Sequence, residues 1–180
     1  CTDADLSLCD IDMDGDQDLI AIAGGYEEPL NIDYKHYWYE NNGASFERHP
    51  LPVPGFIGSV VRPMDFDHDG DIDLFLGARV KREEFPLAPA SYLLINEGED
   101  FRPVELDLGM VTDAVWSDYD GDGWEDLLVS REWNSIALLE NEAGARLAPS
   151  SHAELESASG LWSAITAADL DGDGDEDYVV

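Results

Sequence analysis

Four stretches of the sequence set aspartate at alternate positions and then place a glycine at the sixth. The first runs Asp10-Ile11-Asp12-Met13-Asp14-Gly15-Asp16-Gln17-Asp18, and its counterparts begin at Asp65, Asp118 and Asp169. Closely spaced carboxylates of this kind suit a hard cation. Calcium takes about 6–8 oxygens at about 2.3–2.6 Å. Counting the loop from one to nine, carboxylates at positions one, three and five can curl round one ion. Glycine at six turns the chain where a side chain would strain it. Position seven then offers a carbonyl and position nine a further carboxylate. The expected ligands are Asp10, Asp12, Asp14, the carbonyl of Asp16, and Asp18 in the first loop. The second supplies Asp65, Asp67, Asp69, the carbonyl of Asp71, and Asp73. The third supplies Asp118, Asp120, Asp122, the carbonyl of Trp124, and Asp126. The fourth supplies Asp169, Asp171, Asp173, the carbonyl of Asp175, and Asp177.

Other readings of the loop are weaker. An EF-hand needs a bidentate Glu at position twelve; here that position holds Ala21, Leu76, Val129 and Val180. Magnesium demands octahedral geometry and keeps several waters. A single copy would read as an acidic turn. Four copies in register read as up to four calcium sites, one per loop.

Strands must hold these loops. Each loop leads into an apolar run: Leu19–Ala23, Leu74–Leu76, Leu127–Val129 and Tyr178–Val180. Such runs, bounded by turn residues, predict strands buried on both faces. A second echo follows, with Asn41-Asn42-Gly43, Asn96-Glu97-Gly98 and Asn141-Glu142-Ala143-Gly144 each preceded by an apolar or aromatic stretch. These predict hairpins. One repeat is therefore strand, Asp loop, strand, connection, strand, tight turn, strand. Four antiparallel strands in about 50 residues make one propeller blade. The expected fold is all-β, a partial propeller over 1–180. Its repeats are approximately 1–56, 57–109, 110–160 and an incomplete 161–180. Three blades and the start of a fourth cannot close a ring of roughly four to eight blades. The remainder of the ring is expected from the same longer chain.

Composition narrows the partners. The chain carries 41 acidic and 9 basic residues among 180, for a formal charge of −32. That excludes nucleic acid, which requires a basic surface, and argues against an anionic membrane surface. No apolar stretch is long enough to span a bilayer, so direct membrane insertion is not expected. The first residues show no signal-peptide pattern; an exported protein would have lost its signal or carried it outside this segment. Cys1 and Cys9 would lie roughly 26 Å apart on one extended strand, too far for a disulfide. They read as free thiols, with a lipid anchor at Cys1 the less favoured alternative.

No nucleophile elbow, H-E-x-x-H or phosphate loop is present, so the chain is not expected to be an enzyme. The histidines are scattered, and His68 reads as a solvated loop residue. The first two repeats carry extra residues, 24–36 and 79–91, where the third has only Ser130 to Asn134. Repeat insertions often mark a binding face. Tyr26, Tyr34, Arg79, Lys81 and Arg82 are the candidate ligand contacts, on the face opposite the Asp loops. Trp38, Trp116, Trp133 and Trp162 read as blade packing.

The Asp loops, each placed before an apolar strand, resemble the FG-GAP/VCBS repeats of integrin α-subunit heads and of secreted and surface bacterial proteins. The resemblance covers nearly the whole chain. It is closest to the large bacterial surface proteins in stretches such as Ser163 to Asp175. The family's Phe-Gly and Gly-Ala-Pro signatures are reduced to remnants such as Gly24-Gly25 and Gly77-Ala78. The resemblance implies a propeller of about seven or eight blades, extracellular or cell-surface placement, and calcium as structural glue. The expected function is a non-catalytic binding or adhesion scaffold for a protein or glycan. The alternative is a carbohydrate-active enzyme, such as a polysaccharide lyase, on a calcium-stabilised propeller.

Overall fold

A computed structural model describes residues 2–25, 34–81, 84–98, 100–157 and 159–180. The first sheet contains β1 (Thr2–Cys9), β2 (Asp18–Gly24), β3 (Tyr37–Asn41) and β4 (Phe46–Pro50). The second contains β5 (Ile57–Met64), β6 (Asp73–Val80), β7 (Ser91–Asn96) and β8 (Phe101–Leu106). The third contains β9 (Val111–Ser117), β10 (Asp126–Asn134), β11 (Ala137–Asn141) and β12 (Leu147–Ser150). Each is antiparallel, with the strands side by side in chain order. A short helix, α1 (Ala153–Ser157), follows, then β13 (Gly160–Leu161). The last pair, β14 (Thr166–Ala168) and β15 (Asp177–Val179), forms a two-stranded sheet.

The sheets stack face to face through period-two side chains. On β6, Leu74, Leu76 and Ala78 pack with Ile20 and Ile22 of β2, while Phe75 faces the third sheet with Leu127 and Val129 of β10. Leu128, on the opposite face of β10, packs with Ile136, Leu138 and Ile165. The apolar runs of β2, β6 and β10 are buried, as their sequences predict. The run at Tyr178–Val180 differs: β15 pairs only with β14 among the described residues, and Val179 is 50% exposed.

Two boundaries also differ from the sequence reading. Ser130 to Asn134 is strand rather than connection. There β10 pairs with β9 as far as Arg131, and then with β13 through Glu132 and Asn134. These pairings satisfy backbone groups that a loop would have turned to solvent. Gly24, Arg79 and Val80 likewise belong to strands, so the true connections are shorter than 24–36 and 79–91.

The inner strands approach closely. Arg62 on β5 clamps its neighbours: its guanidinium meets Asp5 of β1 and Asp113 of β9, and Nε donates to the Ala114 carbonyl at 2.8 Å. Gly58 fits where no side chain can, since a Cβ there would lie 2.2 Å from Ile22 Cγ2 and 3.1 Å from the Ala23 carbonyl oxygen. Gly58→Ala is expected to destabilise the fold by about 1–3 kcal/mol through overpacking, read as a lower denaturation midpoint. An unchanged midpoint would mean that the first two sheets can separate without cost.

Candidate metal centres

Every Asp loop joins an innermost strand to the next one outward, so the loops share one end of the stack. The same hydrogen bonds recur in all four. The glycine N–H at position six donates to the position-one carboxylate: Gly15 to Asp10, Gly70 to Asp65, Gly123 to Asp118 and Gly174 to Asp169, at 3.0–3.2 Å. The position-seven N–H donates to the position-five carboxylate, as from Asp16 to Asp14 at 2.8 Å and from Trp124 to Asp122 at 2.9 Å. These bonds curl the chain round a central point. The sixth-position glycines have φ between 92° and 100°, a backbone that suits glycine. Position four is also left-handed, at φ 59° for Met13 and 56° for His68. The sequence reading did not foresee this, although Gly121 and Gly172 at that position in the later loops carry the signal.

Position nine is built differently from the rest. Asp18, Asp73 and Asp126 are 0–2% exposed. In each, Oδ2 accepts the position-two N–H, from Ile11, Phe66 and Tyr119 at 2.8–3.1 Å. The other oxygen accepts the backbone N–H of the hairpin asparagine: Asn41, Asn96 or Asn141, at 2.7–2.8 Å. The hairpin asparagines, which the sequence marked only as turn residues, therefore belong to the site.

Carboxylate oxygens converge in every loop. Asp10, Asp12 and Asp18 place oxygens within 4.8 Å of one another, as do Asp65, Asp67 and Asp73, Asp169, Asp171 and Asp177, and Asp118, Asp120 and Asp122. In the second loop, Asp65 Oδ1 and Asp67 Oδ1 are buried and have no hydrogen-bond partner among the described residues. Buried oxygens without a partner are costly, and a cation between them removes the cost. The donor set is all oxygen, so the residues fit a hard dication. The electrostatics agree. Burial, aided by the charges of Asp69 and Asp65, raises the Asp67 carboxyl above its ordinary value. Asp73 is pushed up to about 6 by burial; the Asn96 and Phe66 N–H groups oppose that, while Asp67 and Asp69 add to it. Burial also raises Asp12, with Asp18, Asp14 and Glu40 contributing, and Asp126, with Asp120 and Asp122 contributing.

His68 is an exposed loop residue, as expected, but it also makes contacts across the blades. Its ring stacks on Trp124 at 4.2 Å, and Nε2 lies 3.1 Å from Glu125 Oε2, so it ties the second loop to the third. The position-four turn aims it at its neighbour.

The expected ligand contacts do not form one basic patch. Tyr26 and Arg82 lie outside the described residues, as does Cys1. Tyr34 is buried, and its hydroxyl donates to the Gly25 carbonyl at 2.8 Å, so it is part of the core rather than a surface contact. Arg79 is ion-paired with Glu132 of the adjacent sheet. Lys81 is exposed. At this end an open cleft of about 610 Å³ is lined by Arg79, Glu132, Thr112, Phe85 and Met110 among others. Trp38 stacks on His49, and Trp116 donates to the Arg62 carbonyl, both in packing roles. Trp133 differs: it is 57% exposed and meets Phe85 edge-on at 5.5 Å.

Comparison with known families returns the FG-GAP-like repeat, matched over residues 10–76 and 118–180. No curated protein matches the chain. Each matched stretch opens on the first aspartate of one loop and runs through the next, and together they cover more than half of the sequence. The chain therefore belongs to the FG-GAP-like repeat family, and its four-stranded sheets are blades of the propeller that such repeats build.

Proposed function

We propose that this chain is a non-catalytic, calcium-stapled propeller module that serves as a binding or adhesion scaffold outside the cytoplasm, for a protein or a glycan. The observation that carries the reading is the convergence of carboxylate oxygens in each loop, with buried, partnerless oxygens on Asp65 and Asp67. In this reading positions one, three, five and nine contribute carboxylates and position seven a carbonyl; the oxygens that already converge are those of positions one, three and nine in the first, second and fourth loops and of one, three and five in the third. Calcium supplies charge neutralisation and fixes the loop; the protein supplies the cage. The acidic balance of −32 favours cations and suits calcium-rich surroundings.

Calorimetric titration with calcium tests the reading. Affinities of about 10⁻⁴–10⁻³ M are expected, the range of extracellular modules. Absence of binding would remove the calcium assignment, and uniformly nanomolar sites would remove the argument for an exported location. The affinity should also depend on pH. Asp73 holds a proton up to a pH of about 6, and calcium must displace it. Because its folded value is raised, Asp73 favours the metal-free fold below the ordinary carboxylate value and loses that contribution as pH rises through about 6. Calcium binding at the second loop should therefore weaken about tenfold between about pH 7 and pH 5. An affinity independent of pH would show that Asp73 is not displaced.

The ligand is assigned to the cleft end. Trp133 and Phe85 present aromatic surface beside the Arg79–Glu132 pair, a combination suited to recognition. Binding of a glycan and peptide panel to immobilised protein should be lost in Trp133→Ala with calcium binding unchanged. Retained binding would place the ligand elsewhere.

A further inference from the structure

The buried aspartates at position nine are joined in series. Asp18 Oδ2 accepts the Ile11 N–H at 2.9 Å, and the Ile11 carbonyl accepts Asn96 Nδ2 from the next sheet at 3.1 Å. The Asn96 N–H donates to Asp73 Oδ1 at 2.7 Å, and Asp73 Oδ2 accepts the Phe66 N–H at 2.8 Å. The pattern then repeats: the Phe66 carbonyl accepts Asn141 Nδ2 at 3.0 Å, and the Asn141 N–H donates to Asp126 Oδ1 at 2.7 Å. No residue in the series is more than 4% exposed. Each position-two residue gives its N–H to one aspartate and its C=O to the next asparagine, and each asparagine bonds through both its backbone N–H and its side-chain amide, so every residue of the series is held at two points.

We propose that this series couples neighbouring calcium sites, so that the first three loops fill with positive cooperativity. The inference rests on the calcium reading of the loops. A cation held by position nine fixes that carboxylate. The carboxylate holds the N–H of the position-two residue, and the carbonyl of that same residue orients the next asparagine amide. The asparagine N–H is then already aimed at the next position-nine carboxylate. The ordering cost of the second site is thereby met in part by the first, which is cooperativity without a change of shape. Hydrogen bonds in a chain also polarise one another in a buried setting. Repulsion between the bound ions opposes this coupling and is weakened by solvent screening at the exposed loops, so the proposal requires the ordering contribution to exceed it. His68, stacked on Trp124, adds a second tie between loops two and three.

The glycine at position six of each loop reports its own site. In a calcium titration followed by NMR, the Gly15, Gly70 and Gly123 amide signals should change together and steeply. Asp12→Ala disables the first loop without touching the series. In that variant the Gly70 midpoint should rise roughly fivefold or more. In Asn96→Ala, whose fold is checked by amide dispersion, adding Asp12→Ala should produce no further rise. If Asn96→Ala does not fold, the Asp12→Ala titration decides alone. A Gly70 midpoint unchanged by Asp12→Ala overturns the coupling while leaving four independent calcium sites. No response at any glycine in the native chain overturns the calcium reading itself.

Discussion

Chelation of calcium is expected to lower the melting temperature of this chain by roughly 15–30 °C. The estimate follows from mass action. A ligand that binds only the folded state, at about twentyfold its dissociation constant, contributes about 2 kcal/mol per site. Four loops then contribute about 7 kcal/mol, and a domain of this size loses about 2–4 °C per kcal/mol. The direction has a structural cause. Without a cation, Asp65, Asp67 and Asp73 hold their carboxylates close together, and burial makes the charged forms costlier still. Thermal melts in calcium and in chelator measure the shift. Coincident curves would mean that the loops are acidic turns.

Asp73→Ala is expected to be the most damaging single change, and its damage should persist in chelator. Asp73 accepts two buried backbone N–H groups, from Phe66 and Asn96. Removing it strands both donors at about 1–3 kcal/mol each, in addition to the lost ligand. Asp67→Ala makes the contrast. Asp67 has a partnerless oxygen and takes only the Asp69 N–H within its own exposed loop, so its loss should cost stability mainly when calcium is present. In chelator it should be neutral or mildly stabilising, because one repelling charge is gone. Urea denaturation of both variants, with and without calcium, separates the roles. Equal penalties for the two in chelator would show that position nine is an ordinary ligand.

The Asp loops were legible because their chemistry is local. Nine consecutive residues contain the alternating carboxylates and the glycine turn, and four copies exclude chance. The strands were legible for the same reason: the runs at Leu19, Leu74 and Leu127 are continuous and bounded by turns. What the sequence hid is non-local. Asn96 and Asn141 read as turn residues, because nothing in their neighbourhood reveals a bond to a carbonyl 85 or 75 residues away. Arg62 sits in an unremarkable strand and is recognisable only once Asp5 and Asp113 flank it. Tyr34 and Arg79 looked like surface contacts because insertions are usually exposed. The fold instead turns Tyr34 inward, whereas Arg79 does stay exposed but is ion-paired with Glu132 of the adjacent sheet. Trp133 was read as packing by its residue type, yet an irregular register between Glu132 and Asn134 and a left-handed backbone turn it outward.

A crystal structure of the chain grown in calcium tests the central claim most directly. The account predicts an ion in each of the four loops, identified by its anomalous signal. Oxygens from positions one, three, five, seven and nine should lie at about 2.3–2.6 Å from it, with Asp65 Oδ1 and Asp67 Oδ1 among the ligands of the second site. Loops without an ion at millimolar calcium, with those two oxygens instead meeting water or a basic side chain, would contradict it.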